Sequence, residues 1–312
     1  MSACSASTPA YRMQSGCCQV FTLLAAGCRV QGQASFTAVG VDAEGLVDPE
    51  AVLAAVTRDT VLVSIMHSNN EVGSLQPIAA ISAGLRKAAP QVLLHTDAAQ
   101  SLGKVAVDVE ALGVDLLTLV GHKLGAPKGV AALWVRPGRP PLAPFLHGGS
   151  QEAGRRAGTE NVLLLVGLGK AAEIARLEGA ATARHMQTMR DYMQQRLVAA
   201  FPEGRVRVNG PSGPDLRLPN TLSISIAGLS AAAALVALAD KLAASAGAAC
   251  HSSGASLSSV LRAMGVDPTF GAGTLRLSVG RHTTLAEVER AVELIVEQAA
   301  VQGISIKQPL ST

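Results

Sequence analysis

Aromatic side chains are scarce: Phe, Trp and Tyr make up 3% of the chain, against 48% hydrophobic residues in all. A core must therefore be built from Val, Leu, Ile and Ala, and Ala-rich helical stretches beside Val/Leu runs fit an α/β protein better than an all-β one. Cysteine is sparse as well. Cys4, Cys17, Cys18 and Cys28 precede residue 30 and Cys250 stands alone. That spacing makes no disulfide framework and matches no zinc module, so a reducing, intracellular setting and no bound metal are expected. Charge of one sign is also missing. The net charge is +3 and no Lys/Arg cluster is interleaved with aromatics, which argues against a nucleic-acid partner. No uncharged apolar run reaches the ~18 residues of a membrane span.

What is present is a β-α rhythm. The 312 residues have room for two domains at ~100–200 residues each. Residues 1–35 contain no acid and show no clear period; they are expected to form an atypical, unstructured leader. A mitochondrial transit peptide is the alternative to a cytosolic location. Strands are then expected over 61–66, 92–96, 115–120 and 130–135, alternating with helices opened by Asp48-Pro49-Glu50 and by Pro77. These elements imply a mostly parallel sheet in a large domain over 36–165. A Gly/Pro-rich loop covers 137–160, and a long helical segment runs from about Val162 to Ala200, the domain connection being placed at 166–204. From Arg205 short strands at 205–208, 220–226 and 274–279 and helices over 230–244, from Ser256 and from Leu285 to Val301 suggest a smaller α+β domain over 205–305, with a tail at 306–312.

Chemistry is concentrated where the expected strands end, as open parallel sheets require. Asp97, in His95-Thr96-Asp97-Ala98-Ala99-Gln100, and Lys123, in Gly121-His122-Lys123, close neighbouring strands. A carboxylate for a pyridinium nitrogen and an amine for a Schiff base are what pyridoxal phosphate needs. Lys123 by itself also reads as a lysine snorkelling at a strand end, and Asp97 as a helix N-cap. Asn70, in Asn69-Asn70-Glu71, is either a turn residue or an amide for the ring oxygen. Cys250 lies among glycines, alanines and serines beside His251, a setting that suits a reactive thiolate better than core packing. Arg276 interrupts an apolar strand and requires an anion, either a substrate carboxylate or a structural ion-pair partner. Thr159 precedes a helix, as an N-cap or as a hydroxyl for a phosphate.

Together these segments resemble the NifS-like cysteine desulfurase/selenocysteine lyase family of class V aminotransferases. The resemblance is carried by His-Ser-Asn-Asn-Glu-Val-Gly at 67–73, His-Thr-Asp-Ala-Ala-Gln at 95–100 and Gly-His-Lys at 121–123. It continues through His-Gly-Gly-Ser-Gln-Glu at 147–152, Gly-Thr-Glu-Asn at 158–161, Gly-Ala-Ala-Cys-His-Ser at 247–252 and Leu-Arg-Leu-Ser-Val-Gly-Arg at 275–281. It implies the pyridoxal-phosphate fold type I, with Lys123 bonded to the cofactor, Asp97 on the ring nitrogen, and Gln100 and Asn70 on the ring oxygen. It further implies His122 by the phosphate, Thr159 reaching the phosphate of a partner subunit in a homodimer, Arg276 on the substrate carboxylate and Cys250 acting at the chalcogen. Gly-His-Lys and Ala-Ala-Cys-His-Ser, where desulfurases usually read Ser-x-His-Lys and Ser-Ala-Cys-Thr-Ser, side with the selenocysteine lyase branch. The activity so implied converts L-selenocysteine to L-alanine and selenide, with a selenium-accepting protein as a further partner. A cysteine desulfurase is the same-class alternative.

Family members also carry about a hundred residues before the point where the resemblance begins, much of a domain's sheet. That region supplies a Gly/Thr phosphate loop and a histidine stacked on the ring, and neither is recognisable here. An N-terminally truncated large domain is therefore expected, and with it a second reading: an inactive isoform that serves as a binding partner.

Overall fold

The computed structural model describes residues 11–16, 34–139, 142–144, 146–246 and 257–307. Two sheets organise them. The first has six strands: β1 (Tyr11–Gly16), β2 (Ala34–Val39), β3 (Thr60–Met66), β4 (Leu93–Asp97), β5 (Leu116–Val120) and β6 (Ala131–Val135), in the order β2-β1-β3-β4-β5-β6. All neighbours are parallel except β5 and β6. The leader expectation fails at one place: Tyr11–Gly16 pairs with both β2 and β3, so this stretch is an inner strand. Its sequence lacks the apolar run of a buried strand, which is why the residues alone did not reveal it.

Short helices cross between the strands. In α1 (Pro49–Ala54), Asp48 accepts from the Glu50 amide at 3.0 Å and proline takes the first helical position, where its missing N–H costs nothing. In α2 (Ile78–Ala88), Ile78, Ile81 and Leu85 form the buried stripe. They pack with Val63, Ile65, Leu94 and Leu117 of the sheet and with Val92 just before β4, a core of aliphatic residues as the composition required. At the opposite edge from the site, Asp115 is fully buried; it accepts from the Leu94 amide at 2.8 Å and pairs with Arg86 and Arg139. A buried carboxylate persists only when matched in this way. This lock leads, through α3 (Val109–Leu112) on one side, into β5.

After β5 comes one helical turn, α4 (Gly121–Leu124). The helix α5 (Val162–Ala200) then runs 39 residues, starting four residues before the expected connection. Its second half buries Met186, Met193 and Leu197 against the second sheet. That sheet consists of β7 (Val206–Asn209), β8 (Thr221–Ile226), β9 (Ser245–Ala246) and β10 (Thr274–Ser278), antiparallel in the order β7-β8-β10-β9. α6 (Ala231–Ala237) ends earlier than the expected 230–244, because the chain turns there to deliver β9 to β10. Two short helices, α7 (Ser259–Ala263) and α8 (Pro268–Gly271), precede β10. The last helix, α9 (Leu285–Val301), opens with a capping box between Thr284 and Glu287. Among the described residues no helix is long and apolar enough to cross a membrane.

Side chains alternate along β8. Leu222, Ile224 and Ile226 enter the core with α5 and α9, while Ser223 and Ser225 share the other face with Thr274 and Arg276 of β10. That polar face meets the first sheet at residue 70.

Candidate active site

β3, β4 and β5 are adjacent and parallel, with Met66 level with Asp97 and Asp97 level with Thr118. Their C-terminal ends therefore open at one edge. The segments 67–71, 97–101 and 121–124 leave from it together, as the sequence predicted for Asn70, Asp97, Gln100 and Lys123.

The first turn is fixed by hydrogen bonds. Buried Asn69 accepts from the amides of Glu71 at 2.8 Å and Val72 at 2.9 Å, so Asn69 does the turn's work and leaves Asn70 free of it. The Asn70 side-chain amide has no hydrogen bond among the described residues. Beneath it, the imidazole of His67 and the hydroxyl of Ser68 both meet Ser101, tying the turn after β3 to the turn after β4. Burial lowers the His67 pKa, so the ring acts as a neutral clamp. His67 and Ser101 were not among the candidates; a histidine and a serine bracketing the two motifs were the available signal.

Asp97 accepts from the Ala99 amide at 2.8 Å, the geometry of an N-cap, yet hydrogen-bonded turns rather than a helix follow it. Burial raises its pKa, and only that one amide pulls the other way. A carboxylate so placed favours a cationic hydrogen-bond donor, the role of a pyridinium N–H.

Lys123 is exposed in α4. Gly121 sets its position: the Gly121 amide donates to the Val130 carbonyl at 2.9 Å, and a Cβ there would sit 2.9 Å from that oxygen and 2.7 Å from the Val130 side chain. The absent side chain lets the helical turn lie directly against β6. A cleft of about 240 Å³ opens beside it, lined by Lys104, His122, Lys123, Asn220 and Arg281 among others. Lys104 was not foreseen. Its ammonium donates to the Gln100 carbonyl at 2.8 Å, and burial, with the charge of Lys123, lowers its pKa to about 8.

Arg276 arrives from the other sheet. It donates to the Asn70 carbonyl at 3.0 Å and to the Ser245 hydroxyl at 3.2 Å. Among the described residues no carboxylate lies within ion-pair distance, so the structural salt bridge considered for it is not made, and donors of its fork remain for an anion. His122 and Thr159 are exposed. Thr159 is not the N-cap of α5; Asn161 holds that position, accepting from Leu164 at 3.2 Å. Cys250 lies outside the described residues. Among those described, no group of His, Cys, Asp and Glu is placed to hold a metal ion.

The donor set fits pyridoxal phosphate: a half-buried carboxylate suited to a cation, an amine one strand away, an uncommitted amide, and an arginine over the same edge. Comparisons with known proteins agree. The aminotransferase class-V family model matches residues 22–291. The chain is 45% identical over 268 residues to selenocysteine lyase of Bos taurus, covering 82% of this chain and 61% of that protein. It is 43% identical to cysteine desulfurase IscS of Anaeromyxobacter sp. (strain Fw109-5), over 84% of this chain and 63% of that protein. The chain thus spans about three fifths of the length of these curated relatives. Among solved structures, a NifS-like protein superposes with a TM-score of 0.84 at 31% identity, over 94% of this chain and 76% of that one. A NifS-like protein from Rickettsia africae gives 0.80 at 27% identity, over 93% of this chain and 76% of that one. By its sequence match, its fold and the residues gathered at its strand ends, the chain belongs to the aminotransferase class-V family.

Proposed function

We propose that this chain is a lyase that removes the chalcogen from the β-carbon of an amino acid, with L-selenocysteine as its substrate and L-alanine as its product. Family membership makes pyridoxal 5'-phosphate the cofactor, and when bound it supplies the electron sink for breaking bonds at the α- and β-carbons. The carrying observation is that Arg276 meets the Asn70 carbonyl at 3.0 Å, over the edge that bears Asp97 and Lys123.

Asp97 holds a proton on the ring nitrogen through its free carboxylate oxygen. Gln100 and Asn70 would hold the ring oxygen, and His122 and the partner subunit's threonine equivalent to Thr159 would hold the phosphate. Lys123 Nζ would anchor the cofactor and would serve as the base that takes the proton from the substrate's α-carbon. Arg276 orients the substrate by its carboxylate. Cys250 Sγ takes selenium from the β-carbon, which gains a proton, and a thiol reductant then frees selenide. A homodimer is in keeping with the exposed start of α5, where Val162, Leu163 and Val166 are 65%, 85% and 67% exposed.

Desulfurase relatives at 43% identity support sulfur as the second reading. The test is alanine release from L-selenocysteine and from L-cysteine, with cofactor and dithiothreitol present. Faster turnover of selenocysteine by about tenfold or more supports the lyase; equal or faster turnover of cysteine supports the desulfurase. No alanine from either rejects both.

A further inference from the structure

Asn69 builds the turn after β3 and Asn70 serves the site on both its side chain and its carbonyl, but the third member of the triplet, Glu71, has no role in the proposed chemistry. Its position is unusual. One carboxylate oxygen, Oε2, is buried with no hydrogen-bond partner. Burial raises the Glu71 pKa, and the Ser258 hydroxyl and the Arg276 guanidinium act against that rise. Arg276 reaches the carbonyl of the residue just before Glu71, yet the two charges make no ion pair. Both guanidinium bonds go to neutral oxygens instead, on Asn70 and Ser245. The guanidinium is thus held in place without help from Glu71.

A counter-charge near a binding arginine, but out of contact, has a definite effect. It takes up none of the arginine's donors, so the fork stays open, but it lowers the positive potential that an incoming carboxylate meets. We propose that Glu71 is an affinity-setting residue of the carboxylate subsite: its fixed negative charge, held short of Arg276, weakens the grip of the guanidinium on the α-carboxylate of substrate and product. This rests on the assignment of Arg276 to the substrate carboxylate. The benefit is release: substrate and alanine carry the same carboxylate, and a site that held it too tightly would retain its product. The sign is specific. Removing the charge of Glu71 tightens carboxylate binding, whereas loss of an ordinary structural residue loosens it.

The test is calorimetric titration of L-alanine into the full chain, with and without pyridoxal phosphate, for the unaltered protein, Glu71→Gln and Arg276→Lys. Glu71→Gln keeps the shape of the side chain and removes its charge. It is expected to tighten L-alanine on the order of tenfold, while ethylamine, which lacks the carboxylate, binds as before. Glu71→Ala, with the same expected sign, serves if the Gln variant does not fold. Unchanged or weaker alanine binding in the charge-free variant overturns the proposal, provided that Arg276→Lys weakens alanine. If Arg276→Lys leaves alanine binding unchanged, or the unaltered protein binds none, the carboxylate-site assignment falls and Glu71's role falls with it.

Discussion

Both sheets carry a buried ladder of polar side chains, and the two ladders differ in one respect. In the parallel sheet Ser64 bonds the His95 imidazole at 2.7 Å, and the other ring nitrogen meets Thr118 at 2.9 Å. In the antiparallel sheet Asn209 donates to Ser225 at 2.9 Å, and Ser225 shares a proton with Thr274 at 2.7 Å. Only the first contains a group that titrates. The same sheet holds Asp97, Lys123, Lys104 and His67 at or beyond its strand ends, whereas the antiparallel sheet offers permanent cations, Arg207 and Arg276, on a face of hydroxyls. Under the proposed function, proton chemistry belongs to one sheet and fixed-charge recognition to the other.

Removing Lys123 should break this division most severely. Lys123→Ala is expected to lower alanine formation by about ten-thousand-fold and to abolish the absorbance near about 420 nm that a lysine-bound cofactor shows; a variant that retains both would refute the assignment. The recognition side should fail differently. Arg276→Lys keeps the charge but loses the fork, so KM for the amino acid should rise about 10–100-fold with a smaller change in kcat. Steady-state kinetics on one preparation separates the two terms.

The ladders themselves can be set against each other by pH. Burial lowers the His95 pKa from 6.5 to about 4. A depressed histidine stabilises the fold above its unfolded value, and that stability drains away as pH falls from 6.5 through about 4. The loss is on the order of 3 kcal/mol. Melting curves across this window should show it in the native chain and show a smaller drop in His95→Gln, while Asn209→Ser, in the ladder that does not titrate, should leave the slope unchanged. The smallest effect is expected at Gly121. The contact with Val130 makes Gly121→Ala cost about 1–3 kcal/mol, measured by thermal unfolding, through displacement of α4 from β6.

Much of this was legible along the chain. Strands β3 to β6, the long α5 and the terminal α9 follow from aliphatic runs, Pro and Asp start signals and helical spacing. β6 being antiparallel was also readable in hindsight, since residues 121–130 are too few for a crossover. Other features carried no local signature. Tyr11–Gly16 joins the sheet through backbone hydrogen bonds, which any sequence can make. The pairing of Asp115 with Arg86 and Arg139 and the placement of Lys104 against Gln100 depend on which elements become neighbours. At the site, residue types singled out Asp97, Lys123 and Arg276 as candidates, but only the fold showed that Asn69, rather than Asn70, satisfies the turn, and that Thr159 is not a cap.

The bond between Arg276 and Asn70 spans 206 positions of sequence. During synthesis at ~5–20 residues per second, Arg276 leaves the ribosome roughly 10–40 s after Asn70. The parallel sheet has that interval to form around Asp97 and Lys123 before the arginine exists to complete the site. Assembly of the proposed carboxylate subsite is therefore a late event, and it reports on whether the second sheet, as well as the first, has reached the native state.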